Sequence, residues 1–156
     1  IVLSKKVTMV SHKHEEAIKG AEAIAVAVYL ARKGHSKEKI KEKMVGYYKE
    51  IKDMTIQSIK DSKYGVENPE ICVTCQGSVP YAITCFLESE NFEDAIRNAI
   101  YINGDSDTLA CMAGAIAEAY YGLSVKEEEK VLSYFDGELK NIYKVFHTIQ
   151  KKRVAR

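Results

Sequence analysis

Two carboxylates and a hydroxyl lie close together in the stretch Asn-Gly-Asp-Ser-Asp-Thr at residues 103–108. Asp105, Asp107 and Thr108 carry the hard oxygen donors that Mg²⁺, Mn²⁺ and Ca²⁺ prefer. Gly104 permits a tight bend of the backbone just before a run of small residues that predicts a helix. The pattern indicates either a divalent-cation site or a glycine turn in which an aspartate caps the following helix.

Histidine and cysteine pairs elsewhere in the chain also have spacings found in metal sites. His12 and His14 stand at alternate positions, and Cys72 and Cys75 have the spacing of half a zinc site. A structural zinc site takes about four such ligands, so both pairs would have to meet in the fold. The simpler interpretation is that the histidines cap or flank the helix that begins after them.

All of these residues lie near the ends of predicted helices. Helical periodicity runs from Glu15 to Arg32, and a second, highly charged helix runs from a Ser36 cap to about Lys52. No convincing pair of strands is present, so seven or eight helices predict an all-α fold. The remaining helices are predicted at residues 55–60, 78–87, 91–102 and 109–122, with two more after caps at Ser124 and Asp136.

Two helices are expected to pack especially closely. The portion 23–31 is apolar on every face, which is typical of a helix in the centre of a bundle. In the helix after the acidic stretch, small residues share one face, which allows a neighbouring backbone to approach. These residues are Ala110, Ala113, Gly114 and Ala117.

The composition is that of an ordinary soluble globular protein. The chain has 156 residues, of which 46% are hydrophobic and 29% charged, and its net charge is +1. This balance gives no indication of nucleic acid or of a membrane surface, and the longest apolar run is far shorter than the ~20 residues of a membrane span. Four cysteines do not suggest a disulfide framework. We expect a single helical domain, residues 1–156, in a reducing cytoplasm.

The acidic stretch and the small-residue helix after it resemble the C-terminal motif of the ADP-ribosylglycohydrolase family, which includes the dinitrogenase reductase-activating glycohydrolases. In that family the two aspartates and the threonine bind a pair of divalent cations in an all-helical fold. The resemblance implies a binuclear Mg²⁺ or Mn²⁺ site in the complete enzyme, with Asp107 between the metals and Asp105 and Thr108 on one of them. The family usually has Gly-Gly-Asp, and Asn103 replaces the first glycine. Asparagine tolerates left-handed backbone angles better than most residues.

Two earlier segments resemble motifs of the same family, in the same order along the chain. Residues 11–21 resemble Ser/Thr-His-x-His-Pro-Glu-Ala/Gly-x-x-Gly-Ala, with Glu15 in place of the proline, and residues 76–80 match Gln-Gly-Ser-Val-Pro. By residue type alone, the glycine and serine of the second motif either present backbone amides to a ligand or cap a helix. The residues that we assign to substrate binding are His14, Gly77, Ser78, Gly104 and Ser106.

Members of this family are considerably longer than the chain. Their N-terminal half carries a Gly-Asp-Ala-x-Gly segment with an acidic residue nearby and a Thr/Ser-Asp-Asp-Thr segment, which complete the metal site and are absent here. Asp105, Asp107 and Thr108 are too few for two cations that each take about six oxygen ligands. We therefore expect the C-terminal part of a longer or two-chain enzyme, whose partner is an N-terminal half or a second copy.

The resemblance implies metal-dependent hydrolysis of the glycosidic bond at C1″ of an ADP-ribosyl group, with the metals positioning the ribose and activating water. The substrate is then an ADP-ribosylated protein or a small-molecule conjugate, and the residues do not distinguish arginine, serine or small-molecule linkage. No catalytic residue is assigned. The alternative is a non-catalytic helical module that binds ADP-ribose or has a structural role, as does a jellyfish lens crystallin of the family.

Overall fold

The computed structural model describes residues 1–67 and 69–154, which form helices joined by turns and loops. No strand occurs among these residues, which confirms the predicted all-α fold. A 3₁₀ helix at Lys49–Lys52 follows the third of ten α-helices in this part of the chain. The α-helices are α1 Val2–Thr8, α2 Glu15–Arg32, α3 Lys37–Val45, α4 Ile56–Asp61, α5 Pro69–Cys72, α6 Cys75–Leu87, α7 Phe92–Tyr101, α8 Ser106–Tyr121, α9 Val125–Ser133 and α10 Gly137–Val154.

The helices form two compact units. The first contains α1 to α8 and ends at Gly122, and the second begins at Leu123 and contains α9 and α10. Within the second unit, the Tyr143 hydroxyl donates a hydrogen bond to Glu128 at 2.9 Å, and the Tyr143 ring meets Phe135 edge-on. The single-domain organisation stays a prediction. None of the described helices is both long and apolar enough to cross a membrane.

Helices α8 and α2 share the core of the first unit, but α2 is not buried on every side as its apolar residues suggested. Helix α8 contacts α2, α6 and α7, and its predicted small face is buried at Ala113 and Ala117. Helix α2 packs against α1, α3, α6 and α8 and is fully buried at Ala23 and Ala27, whereas Tyr29 is 59% exposed. Apolar residues on every side of a helix therefore do not show that every side is buried.

The second predicted helix is interrupted before its expected end at Lys52. Helix α3 ends at Val45, and the extended backbone of Tyr48, with φ −136° and ψ 100°, separates it from the 3₁₀ helix. The sequence pattern places Ile40 and Met44, with Tyr47, Tyr48 and Ile51, on the inward face of this segment, and all of these except Tyr47 are buried. The buried residues of this segment are Ile40, Met44, Tyr48 and Ile51.

Candidate metal and substrate site

The acidic stretch forms the tight turn between α7 and α8. Asn103 and Gly104 have left-handed backbone angles, with φ of +72° and +82°, so asparagine does adopt the conformation of the glycine that it replaces. The Ser106 N–H donates to the Gly104 carbonyl at 2.9 Å and closes the turn. The Leu109 N–H then donates to the Asp105 carbonyl at 2.9 Å. Helix α8 therefore begins at Ser106, three residues before the start that the sequence predicted.

The two carboxylates of the turn lie within hydrogen-bonding reach of each other. The hydrogen bond with the Asp105 side chain, followed by those from the backbone N–H groups of Thr108 and Asp107, lowers the pKa of Asp107. The Thr108 N–H donates to Asp107 Oδ1 at 3.0 Å. Within the described residues, Asp105 makes no side-chain hydrogen bond that caps α8. Side-chain capping of α8 therefore does not account for Asp105, whereas Asp107 lies in the first turn of the helix and accepts a hydrogen bond from its backbone.

The donor set of this turn suits a divalent cation but forms only part of a coordination shell. The carboxylates of Asp105 and Asp107 and the hydroxyl of Thr108 are hard oxygen donors, and Asp107 and Thr108 are exposed. In residues 1–67 and 69–154, no three His, Cys, Asp or Glu side chains come together to hold a metal ion. Mg²⁺ takes about six oxygen ligands. The residues fit the expected chemistry, and further ligands must come from another segment, from water or from substrate.

His14 caps helix α2. Its Nδ1 accepts a hydrogen bond from the Glu16 N–H at 3.2 Å, which confirms the capping interpretation. In a neutral imidazole this arrangement leaves the proton on Nε2, so the exposed side chain still presents a donor to a ligand. His12 pairs with the Ser11 hydroxyl at 2.8 Å. The zinc alternative needs these histidines in one cluster with cysteines, and the described part of the chain contains no such cluster. The substrate contact of His14 stays a prediction.

Gly77 and Ser78 lie within the first turn of α6. The cap is Thr74, whose Oγ1 accepts a hydrogen bond from the Gly77 N–H at 3.1 Å. The Ser78 hydroxyl donates to the Thr74 carbonyl at 2.7 Å, and both Gly77 and Ser78 are buried. The predicted helix start at Ser78 is therefore wrong, because Thr74 caps a helix that begins at Cys75. The role of Gly77 and Ser78 in substrate binding stays a prediction.

Close packing at glycines connects the three sequence segments. A Cβ placed on Gly20 of α2 would lie 3.3 Å from the Cys75 Cβ, so the first segment packs against α6. The Tyr64 hydroxyl donates to the Gly77 carbonyl at 2.6 Å. A Cβ placed on Gly104 would lie 2.8 Å from the Tyr64 ring. Helix α2, the first turn of α6 and the acidic turn are therefore linked through a continuous set of contacts.

Sequence reasoning missed Tyr64 and Gly65 as neighbours of the acidic turn. A Cβ placed on Gly65 would lie 2.4 Å from the backbone nitrogen of Gly104, so the two backbones are in direct contact. Gly65 also has a left-handed backbone, with φ of +79°. The sequence signal was a tyrosine and a glycine in a loop. Such a pair predicts a turn but does not indicate what the turn packs against.

The fold and the turn together define an all-α protein with an oxygen-rich candidate metal site at the start of its central helix. Comparison with known families then identifies the particular family. The ADP-ribosylglycohydrolase family matches residues 1–133, and the chain belongs to this family. No solved structure matches the chain significantly.

Curated relatives are considerably longer than the chain. ADP-ribosylhydrolase ARH3 of Mus musculus is 33% identical over 153 residues, a match that covers 72% of this chain and 41% of the relative. ADP-ribosylarginine hydrolase Tri1 of Pseudomonas putida is 29% identical over 124 residues, which cover 74% of this chain and 31% of the relative. The chain thus spans about two fifths or less of the length of these relatives.

Proposed function

We propose that the protein is part of a divalent-metal-dependent ADP-ribosylglycohydrolase. In this reaction water adds at C1″ of the ADP-ribosyl group, the glycosidic bond breaks, and the leaving group takes up a proton. The observation that carries the proposal is the pair of adjacent carboxylates, Asp105 and Asp107, beside the Thr108 hydroxyl on a turn with two left-handed residues. Family membership and the hydrolase names of the relatives support the same activity.

The residues of the chain have separate roles in this proposal. Asp105, Asp107 and Thr108 hold Mg²⁺ or Mn²⁺ together with oxygen ligands from an N-terminal half or a second copy. A bound cation supplies Lewis-acid polarisation and lowers the pKa of a coordinated water. His14 donates from Nε2 to an oxygen of the ADP-ribose, since its Nδ1 is engaged with the backbone of α2.

The test is metal-dependent release of ADP-ribose by the product of the natural gene, whose intact mass is measured first. The substrates are arginine-linked, serine-linked and small-molecule ADP-ribose conjugates. We expect release to require Mg²⁺ or Mn²⁺ and to fall by at least about 100-fold in Asp107→Ala, because loss of even an indirect metal partner costs 10–100-fold. Glu118→Ala changes an exposed carboxylate on the same helix and should retain full activity. Release that persists in EDTA, or in Asp107→Ala, would contradict the proposal.

A non-catalytic helical module is the second candidate function. It is favoured by the absence, among the described residues, of three clustered side chains that could hold a metal. This candidate predicts that ADP-ribose binds, that ADP-ribose conjugates are not hydrolysed, and that binding tolerates Asp107→Ala. Calorimetric titration of ADP-ribose with and without Mg²⁺ separates the two, since only the hydrolase site should bind more tightly with the metal.

A further inference from the structure

Gly65 brings the loop after α4 into backbone contact with the acidic turn. A Cβ at this position would lie 2.4 Å from the nitrogen and 2.5 Å from the Cα of Gly104. These distances are shorter than any side-chain carbon can adopt against a backbone. The contact therefore exists only because residue 65 has no side chain, and a larger residue would have to displace the turn.

Tyr64, the neighbour of Gly65, also contacts Gly104. It is 7% exposed, and its ring stacks on Tyr81 with 4.1 Å between centroids. Its hydroxyl donates to the Gly77 carbonyl at 2.6 Å, while its ring lies against Gly104. A ring fixed at its face and at its hydroxyl has little freedom to move. Tyr64 therefore connects the first turn of α6 rigidly to the acidic turn.

The hydrogen bonds within the acidic turn are local. The Asn103 N–H donates to the Ile100 carbonyl at 3.2 Å, and the Ser106 N–H donates to Gly104. Such bonds define the shape of the turn but not its position relative to other segments. Packing against Tyr64 and Gly65 supplies that position, because both residues contact Gly104 directly.

We infer that Tyr64 and Gly65 are positioning residues that place the acidic turn relative to the first turn of α6. Neither residue contacts a metal or substrate in this role. They act on Asp105 and Asp107 through the Gly104 backbone. The inference rests on the proposed function only in that the turn is taken to hold the cation. Its structural part, the control of the position of the turn, is tested separately from metal binding.

The first experiment compares Gly65→Ala with Gly34→Ala in the full chain. Both glycines have left-handed backbones, with φ of +79° and +73°, so both substitutions impose the same conformational strain. Only position 65 adds a collision, because a Cβ on Gly34 would meet nothing within 4 Å. We expect amide chemical shifts at residues 103–108, recorded without metal, to move in Gly65→Ala and to stay unchanged in Gly34→Ala. Unchanged shifts in a folded Gly65→Ala chain would overturn the inference.

The second variant pair avoids any risk that Gly65→Ala fails to fold. Tyr64→Phe keeps the stacked ring and removes the hydroxyl, together with its hydrogen bond to Gly77 and its interaction with Cys72. Tyr81→Phe is its control, since the Tyr81 hydroxyl has no hydrogen bond to any residue in the described part of the chain. We expect faster amide exchange at residues 103–108 in Tyr64→Phe alone. Equal exchange in the two variants would count against a positioning role for the Tyr64 hydroxyl.

The third measurement is the affinity for Mn²⁺, which is monitored through the relaxation of water protons. We expect binding to weaken about 10–100-fold in Gly65→Ala, as is usual when the support of a metal ligand is lost, and to be unchanged in Gly34→Ala. Gly65→Ala could shift the amide resonances of residues 103–108 and still bind Mn²⁺ with wild-type affinity. That result would show that the position of the acidic turn does not limit metal binding. If the product of the natural gene binds no Mn²⁺, the proposed function fails, while the resonance shifts of the 156-residue chain still decide the structural inference.

Discussion

The backbone conformations of Asn103 and Gly104 determine how the acidic turn presents its carboxylates. Asn103 and Gly104 both have positive φ, a region that costs most L-residues about 1–2 kcal/mol. Asparagine and glycine are the residues for which this conformation is least unfavourable, so the turn forms without the usual pair of glycines. The family motif is therefore satisfied here by conformation rather than by identity, and the carboxylates that follow remain at the start of α8.

At the same scale, His14 combines a structural and a chemical role that substitutions can separate. His14→Asn retains a good capping side chain and removes Nε2, whereas His14→Ala loses both. We expect the free energy of unfolding of His14→Asn to stay within about 0.5 kcal/mol of the wild-type value. That of His14→Ala should fall by about 1 kcal/mol, the typical contribution of a cap. Both should weaken ADP-ribose binding by a similar factor. Urea unfolding and calorimetry measure the two effects.

Two results would contradict this division of roles. Wild-type ADP-ribose affinity in His14→Asn would remove His14 from the substrate site. A large loss of stability in the same variant would mean that the imidazole packs against its surroundings in addition to capping α2.

At the scale of helices, the sequence predicted local features better than long-range ones. The cap of α9 was predicted because Ser124 and Glu127 form a capping box within four residues. The start of α6 was placed three residues late, since the proline at 80 suggested a first turn and the Thr74 cap was overlooked. The contact of Gly65 with Gly104 joins residues far apart in the sequence, and no local pattern indicates it.

Two helical glycines with different surroundings test how tightly α6 is held. A Cβ on Gly77 would lie 1.9 Å from the carbonyl oxygen of Ile71, whereas a Cβ on Gly114 of α8 would lie 2.8 Å from the flexible end of Ile96. Alanine favours a helix over glycine by about 1 kcal/mol. We expect Gly77→Ala to destabilise the fold by roughly 3 kcal/mol, because the collision is with backbone. Gly114→Ala should stay within about 1 kcal/mol of wild type. Urea midpoints of both variants check this.

A tolerated Gly77→Ala would show that the chain between α5 and α6 can yield. Packing would then no longer explain why the Gln-Gly-Ser-Val-Pro segment has a glycine at position 77. The predicted substrate contact would become the better explanation.

At the scale of the whole molecule, a buried thiol makes stability fall at alkaline pH. Burial, and secondarily the charge of Glu88, raises the pKa of Cys85 to about 12, from an ordinary value of about 8.5. Between these values the folded chain retains a proton that the unfolded chain has lost. The free energy of unfolding therefore decreases as pH rises through this range, by at most about 1.4 kcal/mol per pH unit.

Cys85→Ala removes this titration and leaves the other groups in place. We expect the variant to be less stable than wild type at pH 7, because Cys85 is fully buried and its loss leaves a small cavity. The difference between the two proteins should shrink between pH 9 and pH 11, where wild type loses stability faster. Urea unfolding across this pH series measures it. A constant difference would mean that the thiolate is accommodated in the folded state.

The arrangement of α1 and α2 leaves a large apolar face on the first unit. Leu3 and Val7 of α1 are 74% and 64% exposed, and with Tyr29 of α2 they line a groove of about 690 Å³. Exposed apolar patches of this kind usually mark places where proteins associate. Because the chain forms only part of the family's fold, the sequence predicts exposed apolar surface around residues 23–31 and around the small-residue helix that follows the acidic stretch. It could not predict that α1 would extend the face, because the first nine residues have no clear pattern.

We therefore expect the 156-residue chain to associate with itself at increasing concentration, as measured by sedimentation velocity. Leu3→Glu combined with Val7→Glu should shift the distribution towards monomer, because two charges in the groove must be desolvated on association. Ile100→Glu is the control, since Ile100 is 56% exposed on α7 and does not line this groove. Equal effects of the two changes would attribute association to general hydrophobicity. A wild-type chain that is monomeric at every concentration would show that this apolar face is stable in water without a partner.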